Sequence, residues 1–507
     1  MSVISNTSTN SNNVDRTALL SLLNDIKELF NNGPTNAATV AMLTFIDGTL
    51  NPMIAKSGTD EFITSLSMFH DGEFITKFYN KVFDIIDTID HPTVTSNNNE
   101  QYLFQLLRIY RGLLLLVNNL IVSADLTISI DSTPIKDLNL LLVDKIIKNF
   151  NNCCTNIVLS SDQVNLSLAL LYNTICKLLF NITNKFQLNI ENDDDILLLF
   201  LTFYEKHLTS NNAEFYLPWL LLLNNILSSL KDSHLVSQIL LTTDIVNKVL
   251  LTIYNNDKMF RFFQNTNTEP IDISHLTFIK VWKKLLISNE YISRYIESLY
   301  ATNNTALLAQ LLDVSTIIIT SIDLWDNHDI INIMIWCIFL IKEKLFNEVK
   351  DCLLSSNTTT VDTTYPILVN VLDILTKITT FKESASYILH YKETFPLLIS
   401  LLKLLNDHIP KLNPHKNPDL KPSKSTFPHC KSLLVEIFTN LTFENHQIQD
   451  LMRIHHGIEL VLNNCEIDEN EPFIKERSII CIKYLLANNK ENQVIIRDLE
   501  EKKQKKN

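Results

Sequence analysis

Glycine is nearly missing from this chain: 6 residues in 507. Nucleotide-binding α/β folds need glycine-rich turns where backbone approaches phosphate, so that class is excluded at the outset. Paired cysteines are missing too. The eight cysteines include no C-x-x-C, and Cys153 and Cys154 are adjacent, which suits neither an ordinary disulfide nor a zinc knuckle. They read as buried free thiols of a reducing compartment. Basic surface is scarce. The net charge is −13, and the one lysine cluster is the tail 501–507, read as a solvated helix end. Affinity for nucleic acid comes mainly from neutralised phosphates, so no nucleic-acid partner is expected. Long apolar runs are lacking as well. The most apolar windows, 113–122, 217–230 and 330–341, are each too short or interrupted by asparagine for the ~20 apolar residues of a bilayer span. No secretory pattern opens the chain. The expectation is a soluble, cytoplasmic protein without membrane insertion.

Catalytic signatures are equally sparse. The sequence holds no G-x-S-x-G, P-loop, H-E-x-x-H or kinase loop set, so no catalytic residue and no cofactor is assigned. The closest grouping of metal-ligand types is His429, Cys430, His446, His455, His456 and Cys465. Copper(I) favours tight thiolate and thioether clusters, and these residues are dispersed, so no metal site is assigned. Asp193, Asp194 and Asp195 read as solvated turn residues or a helix cap.

What the chain does have is leucine, isoleucine and asparagine in helical periodicity, with 46% apolar residues. Residues 1–15 read as a disordered Ser/Asn-rich leader. Helical patterns then alternate with short polar breaks at 91–100, 189–195, 265–274 and 355–366. The segment 410–428 differs, holding five of the 14 prolines together with Lys411, Lys416, Lys421 and Lys424. It is read as a semi-extended linker between degenerate helical repeats at 16–409 and a C-terminal block at 429–500.

Asparagine recurs inside apolar helices, at Asn119, Asn181, Asn225 and Asn440. Asn181 and Asn225 lie 44 residues apart, within the span of armadillo or HEAT units. The predicted fold is all-α, an armadillo/HEAT-like right-handed α-solenoid. Each helical hairpin has an apolar face that only stacking can bury. Its concave surface would bind other proteins.

The C-terminal block carries the most specific pattern: Phe427, Lys431, Leu434, Ile437, Asn440-Leu441, Asn445, Gln449-Asp450, Gly457-Ile458, Leu462, Cys465, Asp468, Pro472-Phe473-Ile474, Glu476, Asn492-Gln493 and Leu499. This pattern resembles the C-terminal domain of the ataxin-10 family, nearest to its fungal members. Glu471 and Arg477 depart from it, where the family usually has Asn and Trp. Gly457 is expected to end one helix through a left-handed conformation, and Pro472 to open a long helix at 473–487. Gly457, Cys465, Asp468, Pro472, Phe473 and Glu476 are therefore expected to be structural.

The resemblance implies a non-enzymatic interaction scaffold that regulates cytokinesis, with self-association known among animal members. One fungal member is named for copper transport, so a cytosolic copper-homeostasis factor is the alternative. In armadillo repeats an inner-helix Asn bonds the backbone of a bound peptide or of a neighbouring loop. On that analogy Asn119, Asn181, Asn225 and Asn440 are candidate partner-binding residues. Arg108 and Arg111 resemble an Arg-rich inner helix of early family repeats. They would either line a groove for acidic partners or pair with acids of an adjacent repeat.

Overall fold

A computed structural model describes residues 8–31, 35–59, 62, 72–89, 97–123, 133–156, 162–186, 213–229, 250–251, 253–255, 273–355, 358–412 and 426–504. Among the described residues the chain is helical without a strand, an all-α solenoid. It divides into two compact units. One comprises Met1–Met259 with Thr268–Val281, the other Phe260–Asn267 with Trp282–Asn507.

The first unit contains α1 (Ser8–Asn31), α2 (Asn36–Phe45), α3 (Asn51–Ser57), α4 (Gly72–Thr88), α5 (Asn97–Ser123), α6 (Thr133–Asn156), α7 (Asp162–Phe186) and α8 (Ala213–Ser229). Two ladders run through it. Helices α1, α4 and α6 stack in one. In the other, α2 and α3 pack on α5, α5 on α7, and α7 on α8. Helix α5 shows why. Leu106, Leu107, Ile109, Tyr110, Leu113, Leu114, Leu116 and Val117 are all buried, leaving a stripe at Phe104, Arg108, Arg111, Leu115 and Asn118 that is not. That stripe has helical spacing, so the helix is wedged on two sides and open along one.

The second unit contains α9 (Asn289–Ala301), α10 (Thr305–Ser321), α11 (Asn327–Leu340), α12 (Phe346–Ser355), α13 (Thr358–Ile378), α14 (Lys382–His390), α15 (Thr394–His408), α16 (Cys430–Thr442), α17 (His446–Ile454), α18 (Gly457–Asn463), α19 (Ile474–Leu486) and α20 (Lys490–Gln504). Helices α10, α13, α16 and α19 stack in sequence. Beside them run α11, α14, α17 and α20, and then α12, α15 and α18. The sequence predicts stacked helical hairpins; the second unit stacks its helices in three ladders instead.

The backbone itself gives the period. His429 and Phe473 take left-handed φ of 65° and 68° just before α16 and α19. Glu444 and Asn488 do so after them, with φ of 50° and 57°. Each pair is 44 residues apart, as are Asn181 and Asn225. Asn445 and Asn489 follow at the same interval, and each side chain accepts a backbone N–H three residues on, at 3.2 and 3.1 Å. These are helix-capping contacts.

Several sequence expectations need correction. Residues 8–15, read as leader, lie in α1. Asp15 there accepts an ion pair from Lys56 at 2.6 Å. The break at 355–366 is much shorter, because α13 begins at Thr358 and runs through Pro366. A proline removes one helical hydrogen bond, and the buried Ile367, Leu368, Val371 and Leu372 hold the helix regardless. The apolar stretches are also longer than read. Ala37–Ser57, Glu100–Val122 and Asp162–Lys185 are long and apolar enough to cross a membrane by length and composition. The helices continue through the asparagines that seemed to interrupt them. In Glu100–Val122 and Asp162–Lys185 most of that surface is buried by stacking, whereas in Ala37–Ser57 only 22% is. Most of the linker, 413–425, and Asp193–Asp195 lie outside the described residues. Both ends of the linker are anchored, with Leu412 and Phe427 buried.

Candidate functional site

The half-buried asparagines bond to the neighbouring repeat. Asn119 Nδ2 donates to the Ile54 carbonyl at 3.2 Å and to Ser57 Oγ at 3.1 Å. Asn225 Nδ2 meets the Phe180 carbonyl at 3.5 Å and Thr183 Oγ1 at 3.4 Å. Asn440 Nδ2 donates to the Thr376 carbonyl at 3.0 Å and to Thr379 Oγ1 at 3.3 Å. The arrangement is the same each time. A Ser or Thr hydroxyl folds back onto the carbonyl three residues before it, and the next repeat's asparagine clasps both. The Ile54 and Thr376 carbonyls lie in the last turns of their helices, where intrahelical donors run out. Asn181 differs, donating to Asn118 Oδ1 at 2.7 Å, while Lys185 reaches the Val122 carbonyl at 2.8 Å. Of the two uses open to these asparagines in the sequence, Asn119, Asn225 and Asn440 show the bond to a neighbouring repeat's backbone, and Asn181 does not.

The two arginines divide. Arg108 donates to Gln105 Oε1 at 3.0 Å, lies 3.8 Å from Asp47 Oδ1 and sits over the Phe104 ring. Asp47 belongs to the adjacent packing layer, so Arg108 takes the acid-pairing alternative. Arg111 does not. Its Nε donates to Thr174 Oγ1 of α7 at 3.3 Å, and among the described residues it has no acidic partner. Burial and the Arg108 charge beside it push its pKa down.

In the C-terminal block, the motif residues form one locking network. Gln449 Nε2 donates to the carbonyls of Thr442 and Tyr484 at 3.2 and 3.0 Å. Asn492 Nδ2 reaches the carbonyls of Gln449 and Leu485 at 3.3 and 2.9 Å. Arg453 bridges Asp450 at 2.7 Å and Asn492 Oδ1 at 3.0 Å. These contacts bind α17 to α19 and α20. Gly457 is structural, for a reason other than the expected one. The left-handed residue is His456, φ 60°, and Gly457 starts α18. A Cβ there would lie 2.7 Å from Met452 Sδ and 3.3 Å from Ile399 Cδ1, so any larger residue must displace the Met452 side chain. Pro472 also falls outside its expected position. It lies in the turn before α19, and Phe473 occupies the N-cap in the left-handed region, 73% exposed. A left-handed phenylalanine is strained, and the repeat backbone imposes it. Cys465 is half-buried with Sγ on the Val461 carbonyl, and Glu476 is exposed.

Asp468 was singled out in the sequence without its partner. It forms a fully buried ion pair with Lys431 at 3.3 Å. Its other oxygen accepts from the Leu412 and Asn470 amides at 3.0 and 3.1 Å, which pins the start of the linker. Glu471, the family departure, lies in the same cluster. Its Oε2 accepts from Ser432 Oγ at 3.0 Å, while Oε1 has no hydrogen-bond partner among the described residues. Burial first, then the charge of Asp468, push its carboxyl up to about 7. Arg477, the second departure, extends to Glu436 at 2.7 Å, keeping its stem on the seam.

Among the described residues no three His, Cys, Asp or Glu side chains gather as metal ligands. Six of the seven described cysteines are buried, and burial pushes the thiols of Cys430 and Cys481 up.

Residues 430–507 match the family described as "Spinocerebellar ataxia type 10 protein domain". The chain is 28% identical to a protein named Ataxin-10 homolog from Candida glabrata, over 83% of this chain and 84% of that one. It is 31% identical to an Ataxin-10 homolog from Debaryomyces hansenii, over 58% of each. A solved circular tandem repeat protein aligns over 96% of this chain and 99% of its own, with 12% identity and a TM-score of 0.29.

Proposed function

We propose a function from the premise that this chain belongs to the ataxin-10 family. It is a protein-interaction scaffold that carries out no reaction of its own, works in the cytoplasm and contributes to cell division. The observation that carries this reading is the use of the ladders. The apolar faces of α5 and α7 and the amides of Asn119, Asn225 and Asn440 are consumed between repeats, leaving the open stripes of those two helices to face something outside the stack. A stacked array gains function by displaying side chains at fixed spacing rather than by enclosing a substrate.

Recognition then depends on those stripes, with Arg111 as the cation that has no acidic partner among the described residues. Two further features support action away from the bilayer. The apolar surfaces of Glu100–Val122 and Asp162–Lys185 are mostly taken up by stacking, and the net charge is negative.

The test is affinity purification of the full chain from its native cell, beside the Arg108→Glu/Arg111→Glu variant. The scaffold reading expects specific co-purifying proteins, at least one of which the variant loses. Depletion of the chain should delay or misplace cell separation. Recovery of the chain alone, with division unaffected, overturns the proposal.

A further inference from the structure

Arginine is seldom left half-buried without an anion, because its desolvated charge needs compensation. Arg111 is in that position. One Nε contact to the Thr174 hydroxyl is its sole polar contact among the described residues, and the charge that acts on it, Arg108, has the same sign. The Thr174 hydroxyl is already committed, since it donates to the Leu170 carbonyl at 2.9 Å. Both Nη groups of Arg111 therefore remain for a two-pronged acceptor.

The surroundings extend the charge and define its company. Lys177 lies one turn beyond Thr174 on α7, is exposed, and makes no ion pair with any described residue. Phe104 and Leu115 flank the arginines on α5, while Leu166, Leu170 and Phe180 lie along the open stripe of α7, with Leu166 54% exposed. Cations thus alternate with apolar side chains across two stacked helices.

We propose that Arg111, with Arg108 and Lys177, forms a carboxylate-binding site for an acidic polypeptide segment of a partner, one whose Asp or Glu residues alternate with apolar ones. This rests on the scaffold reading and gives it a partner chemistry. Arg111 takes a carboxylate through both Nη groups, Lys177 adds a second, longer-range attraction, and the apolar stripe takes the intervening side chains. Binding of this kind falls with added salt.

The test uses the full chain and a fluorescent 12-residue peptide alternating Glu with Leu, followed by anisotropy. A matched peptide with Gln for Glu is the control, and inorganic phosphate the competitor. The expectation is saturable binding of the Glu peptide, at least tenfold weaker binding of the Gln peptide, and at least tenfold weakening by Arg111→Gln. Arg111→Lys should fall between, because it keeps charge and loses the fork. Lys177→Gln, an exposed change, should weaken binding about threefold without altering the fold. Arg111→Gln should leave the melting temperature level or raise it, which a merely structural arginine would not do. Equal binding of the Glu and Gln peptides, unchanged affinity in Arg111→Gln, or phosphate binding without peptide binding each overturns the site. Native partners retained by a chain that ignores the peptide would sink this inference and leave the scaffold reading standing.

Discussion

In the first unit the open stripes of the long helices carry Arg108, Arg111 and Lys177; in the second, the corresponding ladder exposes Asp313 and places Asp373 beside Glu436. Burial and then the Glu436 charge hold the Asp373 carboxyl above its ordinary value. Arg477 ends this acidic run by pairing with Glu436. The seams between repeats are nonetheless alike. Asn119 and Asn225 in one unit and Asn440 in the other make the same clasp on a carbonyl and a hydroxyl. The seam is therefore the common structural element, and the face is free to differ in sign. What most clearly resembles a peptide-binding asparagine in the sequence belongs to the seam. The candidate for recognition is the charge that the seam leaves unpaired.

The comparison can be broken most forcefully where the units differ in their interior. The second unit buries the Lys431–Asp468 pair completely. Lys431→Met should strand Asp468 and lower stability by about 3–5 kcal/mol in chemical denaturation. A loss below ~1 kcal/mol would mean that the pair is not buried in solution.

Glu471 gives the next largest effect, and a pH signature. Its folded pKa of about 7 exceeds the ordinary 4.5, so the folded chain holds a proton the unfolded chain has released between those values. Its contribution is fully present below pH ~4.5 and is lost as pH rises through about 7. Glu471→Gln should flatten that decline and stabilise the chain by about 2–3 kcal/mol at pH 8, with little change at pH 4.5. The check is denaturation midpoints across this range. An unchanged pH profile would remove Glu471 from the account.

Rung substitutions sharpen the likeness between the units. Asn225→Ala and Asn440→Ala should each lower stability by about 1 kcal/mol, because each removes the amide that joins the hydroxyl–carbonyl pair of one repeat to the next. Urea unfolding measures both, and a loss confined to one unit would show that the common clasp is coincidental. Face substitutions should have the smallest effect on folding. Asp373→Asn should be neutral or stabilising by about 0.5 kcal/mol, since it removes a half-buried charge beside another of the same sign.

Much of the stack is legible in the sequence. Helical periodicity at Leu433, Leu434, Ile437, Phe438 and Leu441 predicts α16, and the 44-residue interval between Asn181 and Asn225 is the backbone period itself. The destination of each asparagine amide is not legible, because it depends on residues 45 to 65 positions earlier. Gly457 shows a different limit. A helix-ending glycine and a glycine squeezed by Met452 look the same in one dimension. Lys431 and Asp468 both stand in the family pattern, yet only folding brings their charges together, 37 residues apart.

The division between seam and face is tested most directly by thermal unfolding of Asn440→Ala and Arg111→Gln beside the parent chain. The account predicts that Asn440→Ala melts lower, by about 2–4 °C for each kcal/mol lost, while Arg111→Gln melts level or higher. An Arg111→Gln that falls as far as Asn440→Ala, or an Asn440→Ala that does not fall, would contradict it.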